Sequence, residues 1–281
     1  VAVAIMFSLL KYEILSRWIA VLSWGAGLSL FGVMYVAIYP QFEDKLAVLA
    51  DISFYQAMRI DMMSFEGFIA SSLVLNIPVM MAIYVIVAGC DTLAGEEDRG
   101  TLELIVTMPL KRWQIVSMKA IALVVVTLAM LVIAGASSAV ALIAIQNSVN
   151  IVVTPIQLFF AILSCWPITL AILMIGLFFG AYFPNRRTAS AATTFIFLLS
   201  YFGVMIAGIV ESLEFIKYAS LFHYLDSSAG VFTKGVQASD VFTLLGIATV
   251  FFVLALFSFE RRDITVGLWP WQRAKARDVS T

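Results

Sequence analysis

Ionisable side chains gather at Glu96-Glu97-Asp98-Arg99 and recur after it at Glu103, Lys111, Arg112 and Lys119. Between these groups runs Gly100-Thr101-Leu102-Glu103-Leu104-Ile105-Val106-Thr107-Met108-Pro109. The pattern predicts a charged hinge, a short amphipathic helix and a stop. Gly100 interrupts the acidic run. Thr101 caps the new helix by accepting a hydrogen bond from a first-turn amide. Glu103 near that N-terminus complements the helix dipole. Leu102, Leu104, Ile105 and Met108 form an apolar face of about two turns. Pro109 ends the helix, because it has no N–H to continue the ladder. An apolar face on so short a helix needs cover, from the membrane surface or from a partner protein.

Bond-making chemistry is not expected of this chain. Its one histidine, His223, falls in a predicted outer loop, so no Ser–His or Cys–His pair arises within a span. No G-x-x-x-x-G-K-[ST] phosphate loop occurs, so the chain is not expected to hydrolyse ATP itself. No H-E-x-x-H zinc motif occurs either. Cys90 and Cys165 lie in apolar runs and read as small packing residues rather than a disulfide or zinc site. No catalytic residue, metal ligand or cofactor of its own is assigned.

The frame around this stretch is membrane. Of 281 residues, 62% are apolar and 12% charged, against about 45–50% and 25% in soluble domains. The net charge of −1 gives no electrostatic footprint for nucleic acid, and none is expected as a partner. Spanning helices need roughly 20 mostly apolar residues. Segments 18–39, 68–90, 120–145, 158–183, 189–210 and 241–259 qualify, and none contains Lys, Arg, Asp, Glu or His. These runs are continuous, unlike the alternating pattern of spanning strands. Carriers driven by protons or sodium usually keep ionisable groups near mid-membrane, so their absence argues against a proton-coupled carrier, with backbone carbonyl sites still open. The apolar Val1–Leu10 has no preceding basic residue and no clear cleavage site, and is not read as a signal peptide.

Orientation follows from basic residues. With both termini inside, all but four of the 17 Lys and Arg lie on the cytoplasmic side, the exceptions being Lys45, Arg59, Lys217 and Lys234. Arg112, Lys119, Arg186, Arg187, Arg261 and Arg262 then sit as anchors at the inner membrane surface, within reach of anionic lipids. For Arg261 and Arg262, contact with a partner protein is the alternative. The outer segment 40–67 is acidic, and Phe54–Phe68 suits an amphipathic helix on the outer surface. Segment 211–240 again mixes aromatic and polar residues. Asn76 and Pro78 interrupt the second span; a simple kink and a substrate-facing hinge both fit, since Pro78 leaves a carbonyl one turn earlier unpaired. Gly25, Gly27, Gly176 and Gly180 suit close helix packing.

The inner stretch resembles a known family. Gly95, Glu96, Glu97, Arg99, Gly100, Thr101, Leu102 and Glu103, followed by Pro109, Arg112 and Lys119, are similar to the permease subunit of type-2 ATP-binding-cassette exporters. Lys11-Tyr12-Glu13 through Arg17-Trp18 resembles that family's interfacial helix before the first span. Phe259 through Ile264 resembles its ending after the sixth. The likeness spans nearly the whole chain and departs after about residue 265.

The resemblance implies an all-α membrane protein of six transmembrane helices, with an N-terminal interfacial helix and a cytoplasmic coupling helix between spans two and three. Residues 1–264 would be one permease domain and 265–281 a cytoplasmic tail. It implies a separate ATPase subunit that binds ATP and Mg, docked on Glu96–Met108. It further implies a second permease, identical or paralogous, and residence in the cytoplasmic membrane of a prokaryote. Most such permeases export their substrates, here a drug, lipid or peptide-like cargo. A non-transporting scaffold is the rival from another class, and an ATP-independent channel a further one.

Overall fold

A computed structural model of the chain describes residues 2–50, 64–100, 110–146, 151–209, 211–225 and 230–261. Helices dominate, and no strand occurs among the described residues. The chain opens with α1 (Ala2–Ser16) and α2 (Trp18–Ala50). Then come α3 (Phe65–Asp98), α4 (Arg112–Ile145), α5 (Pro155–Tyr182), α6 (Arg186–Ile209) and α7 (Ala238–Arg261). The six from α2 to α7 are long and apolar enough to cross a bilayer. A helix satisfies most of its backbone from within, which is what lipid demands of a spanning segment.

The helix ends follow local chemistry. At α5, Gln157 N donates to Thr154 Oγ1 at 3.3 Å and Thr154 N donates to Gln157 Oε1 at 2.8 Å, a reciprocal cap with Pro155 in the first turn. At α6, Asn185 Oδ1 accepts from Thr188 N at 2.8 Å. Some boundaries differ from the sequence expectation. α2 passes its expected end at 39 and runs through Pro40 to Ala50, since Pro40 forfeits only one intrahelical bond. α3 passes residue 90 to Asp98, and α4 begins at Arg112 rather than 120. Both extensions carry charges that find partners at one end of the bundle.

α3 and α5 are buried over most of their length, whereas α2, α6 and α7 form the outer wall. Leu30, Phe195 and Phe242 are among the large apolar side chains exposed on that wall. The Trp166–Tyr182 part of α5 packs against α3, α6 and α7, and α4 packs against α1, α2 and the first part of α5. α3 and α5 meet backbone to backbone. A Cβ on Gly89 would stand 2.9 Å from the Leu173 carbonyl oxygen, and one on Gly180 would stand 3.0 Å from that of Cys90. Gly180 therefore serves the close packing expected of it. Gly27 does not, because a Cβ there would meet nothing within 4 Å.

α3 contains two π-helical turns, Ala70–Val74 and Asp91–Gly95. Beside the first, Pro78 cannot donate to the Val74 carbonyl, and Cys165 Sγ on α5 donates to it instead at 3.4 Å. Asn76 Nδ2 donates back to Ser72 O at 2.9 Å. The irregular backbone is thus satisfied within the bundle.

At the end opposite the charges, the Tyr39 and Phe65 rings meet edge to face at 4.9 Å. Two 3-10 turns, Glu211–Ala219 and Leu221–Tyr224, fold back over α6. There Ser220 Oγ donates to Ser200 O at 2.6 Å and Leu221 N donates to Ser200 Oγ at 2.7 Å. Phe222 and Leu225 are buried beneath them. His223 lies between the Tyr218 and Tyr224 rings, and no metal-binding group occurs among the described residues.

Candidate functional site: the charged end of the bundle

The extensions of α3 and α4 meet α1 in a buried ionic cluster. Lys119, two turns into α4, has a fully buried side chain. Its ammonium donates to Glu13 Oε1 on α1 and, at 2.6 Å, to Glu96 Oε1 on α3. Arg17, between α1 and α2, donates to Glu13 Oε2 at 3.4 Å and to Thr92 Oγ1 at 3.3 Å. Two carboxylates and two cations therefore balance in one site. A buried ammonium persists only where carboxylates and hydrogen bonds replace its water. Lys119 was expected as a surface anchor. The structure corrects this: its stem points into the bundle, because both of its acceptors lie there.

Asp91 and Asp98, at the same end of α3, face α6. Arg99 donates from Nη1 and Nη2 to Asp91 Oδ1 and Oδ2 at 3.0 and 3.3 Å. The Asp91 hydrogen bond holds the Arg99 guanidinium above its ordinary range. Arg186 Nη1 lies 3.2 Å from Asp91 Oδ1, and Arg186 N donates to Asp98 Oδ2 at 2.9 Å. Asp98 so satisfies a free amide at the start of α6, where the helix dipole favours a carboxylate. The second π turn creates this division of partners: it widens α3 just where Asp91 and Glu96 must face different neighbours. Gly95, buried inside the turn, has no room for a Cβ beside the Asp91 carboxylate. Gly100 then takes φ 68°, the left-handed geometry that ends α3.

A further tie joins α4 to α7. Arg112 Nη1 donates to the carbonyls of Phe259 and Glu260, each at 3.4 Å. Both carbonyls lie in the last described turn of α7. The end of α3 and the start of α4 thus hold α1, α6 and α7 together.

Of the residues singled out from sequence, Glu96, Glu97, Arg99, Gly100, Arg112, Lys119 and Arg186 lie at this end. Arg187 and Arg261 are exposed. Asn76 and Pro78 lie about five turns away along α3. Thr101, Leu102, Glu103, Leu104, Ile105 and Met108 of the expected coupling helix, Arg262, the tail 265–281 and residues 54–63 of the expected outer helix lie outside the described residues. Sequence reasoning missed Asp91 and Thr92, gave Asp98 no role beyond the charged hinge, and gave Glu13 and Arg17 no site role. A signal existed, because a lone Lys119 opening an apolar span demands a partner, and Glu13 is the one acidic residue of α1.

Comparison with curated proteins finds none that matches this chain. The family described as ABC-2 family transporter protein matches residues 3–264, nearly the full length. Six apolar spanning helices make the chain a multi-pass integral membrane protein. With a match of that extent, the chain belongs to the ABC-2 transporter family, as a permease subunit of an ABC transporter and not its ATPase.

Proposed function

We propose that this permease works in an ATP-driven exporter, with a separate cytoplasmic ATPase docked on the segment that joins α3 to α4. ATP and Mg bind in that ATPase. A second permease, identical or paralogous, completes the membrane part. The charged end faces the cytoplasm, in keeping with the basic bias of the inner segments. Both termini lie there, and the membrane is the cytoplasmic membrane of a prokaryote. α1 lies along its inner surface, where Tyr12 and Leu15 are exposed. The apolar bundle interior suits a drug, lipid or peptide-like cargo.

One observation carries this reading. The motif residues Glu96 and Arg99, with Asp91 between them in role, join the α3 end to α1, α4 and α6. A segment built this way delivers a push to several spans at once, as alternation between inward- and outward-facing states requires. The test is purification in mild detergent, identification of what accompanies the chain, and transport by the reconstituted complex. An ATPase recovered with the native chain, and transport that stops without ATP, support the exporter. The Glu97→Ala/Arg99→Ala variant should weaken or uncouple that partner. Absence of any ATPase from a folded preparation would favour a passive channel, and an ATPase without transport a scaffold.

A further inference from the structure

We propose that the Glu13–Lys119–Glu96 triplet is a latch that fastens α1 to the α3–α4 junction. Glu13 and Lys119 are then positioning residues that pass movement of the junction on to α1. The inference rests on the permease reading above for what moves the junction, but the latch itself is a property of this chain alone.

α1 has little else to hold it. Among its side chains from Ala4 to Ser16, only Leu9 and Glu13 are buried, one turn apart on a single stripe. Phe7, Tyr12 and Leu15 are all more than half exposed. The apolar contribution to docking is therefore small, and the ionic contact is the specific one. Its central cation belongs to neither α1 nor α3: Lys119 stands on α4, with one carboxylate from each of the other two helices. Arg17 doubles the link, since its one Nη2 reaches both Glu13 and Thr92.

The geometry makes the latch stiff. A fully buried ammonium cannot exchange a carboxylate for water without large loss. When Glu96 moves with the end of α3, Lys119 follows it and Glu13 follows Lys119. Packed interfaces of this kind shift as units and do not stretch. α1, continuous with α2 but for one turn at Arg17, so enters the first span's movement.

The test uses hydrogen exchange of the full chain in lipid nanodiscs, with Glu13→Gln as the variant. The latch predicts exchange of α1 amides faster by about tenfold or more, with α5 amides unchanged. In the complex with its ATPase, the same variant should keep hydrolysing ATP while moving less cargo per ATP. Unchanged α1 exchange would overturn the latch. A loosened α1 with transport per ATP intact would overturn its role in transmission. If Glu13→Gln loosens α5 too, Glu13→Asp decides, because it keeps the charge and shortens the reach by one carbon. Loosening confined to α1 then supports the latch, and any other pattern overturns it. Exchange is read without the ATPase, so a loosened α1 in a chain that recovers no ATPase refutes the exporter and leaves the latch standing.

Discussion

Replacing Lys119 by Met keeps the length and apolar packing of the stem and deletes only the ammonium. The structure sets the size of the effect. The Lys119 side chain is 0% exposed, and those of Glu13 and Glu96 are 7% and 16% exposed. Both carboxylates lie within one hydrogen bond of Nζ, so they stand about 5 Å or less from each other. Without the cation, their repulsion at an effective dielectric of about 20 is on the order of 3 kcal/mol. That agrees with the roughly 3–5 kcal/mol lost when one partner of a buried ion pair is removed. A lysine at a free membrane surface would lose no more than about 0.5 kcal/mol. Equilibrium unfolding from mixed micelles, followed by the fluorescence of the six tryptophans, measures the difference. The triple variant Lys119→Met/Glu13→Gln/Glu96→Gln should recover most of the loss, because it removes the repelling charges as well. A Lys119→Met loss below about 1 kcal/mol, or a triple variant less stable than the single one, would refute the buried triplet.

Other consequences are open to the same unfolding assay. Gly180→Val should destabilise by about 1–3 kcal/mol or more, since its side chain meets the Cys90 backbone where no rotamer can yield. Cys165→Ala should lose about 1 kcal/mol by leaving the Val74 carbonyl unpaired. That loss should vanish in a Pro78→Ala background, where residue 78 regains its N–H. Arg186→Ala breaks a half-exposed pair and should change stability by no more than about 1 kcal/mol. Its clearer readout is faster amide exchange at the start of α6.

Much of the fold was legible because lipid makes it a local matter. A run such as 120–145 is apolar throughout, and a helix satisfies its backbone from within the same run. Each span could therefore be placed with no knowledge of its neighbours, and six spans are present. The boundaries were less legible where charge was involved. Residues 112–119 read as an inner-surface segment because Arg112 and Lys119 look like polar ends. Of the groups that take up those charges, the α7 carbonyls and the Glu13 carboxylate lie 106 or more residues off in sequence, and only Glu96 is near, 23 residues away.

The same division runs through the site. Sequence alone marked Glu96 through Gly100 as a hinge, since four charges followed by glycine can hardly continue an apolar span. Gly100 does end α3, and its positive φ is a demand that glycine meets by itself. Which charge serves which neighbour was decided only in three dimensions. The π turn at Asp91–Gly95 rotates Asp91 toward Arg186 and leaves Glu96 for Lys119. A one-residue change in helical winding carries no apolar periodicity to betray it. Apolarity and backbone geometry belong to a residue and its nearest neighbours, so sequence alone determined the six helices. A buried charge is tolerable only beside partners, here 23 and 106 residues distant, so tertiary packing decided the site.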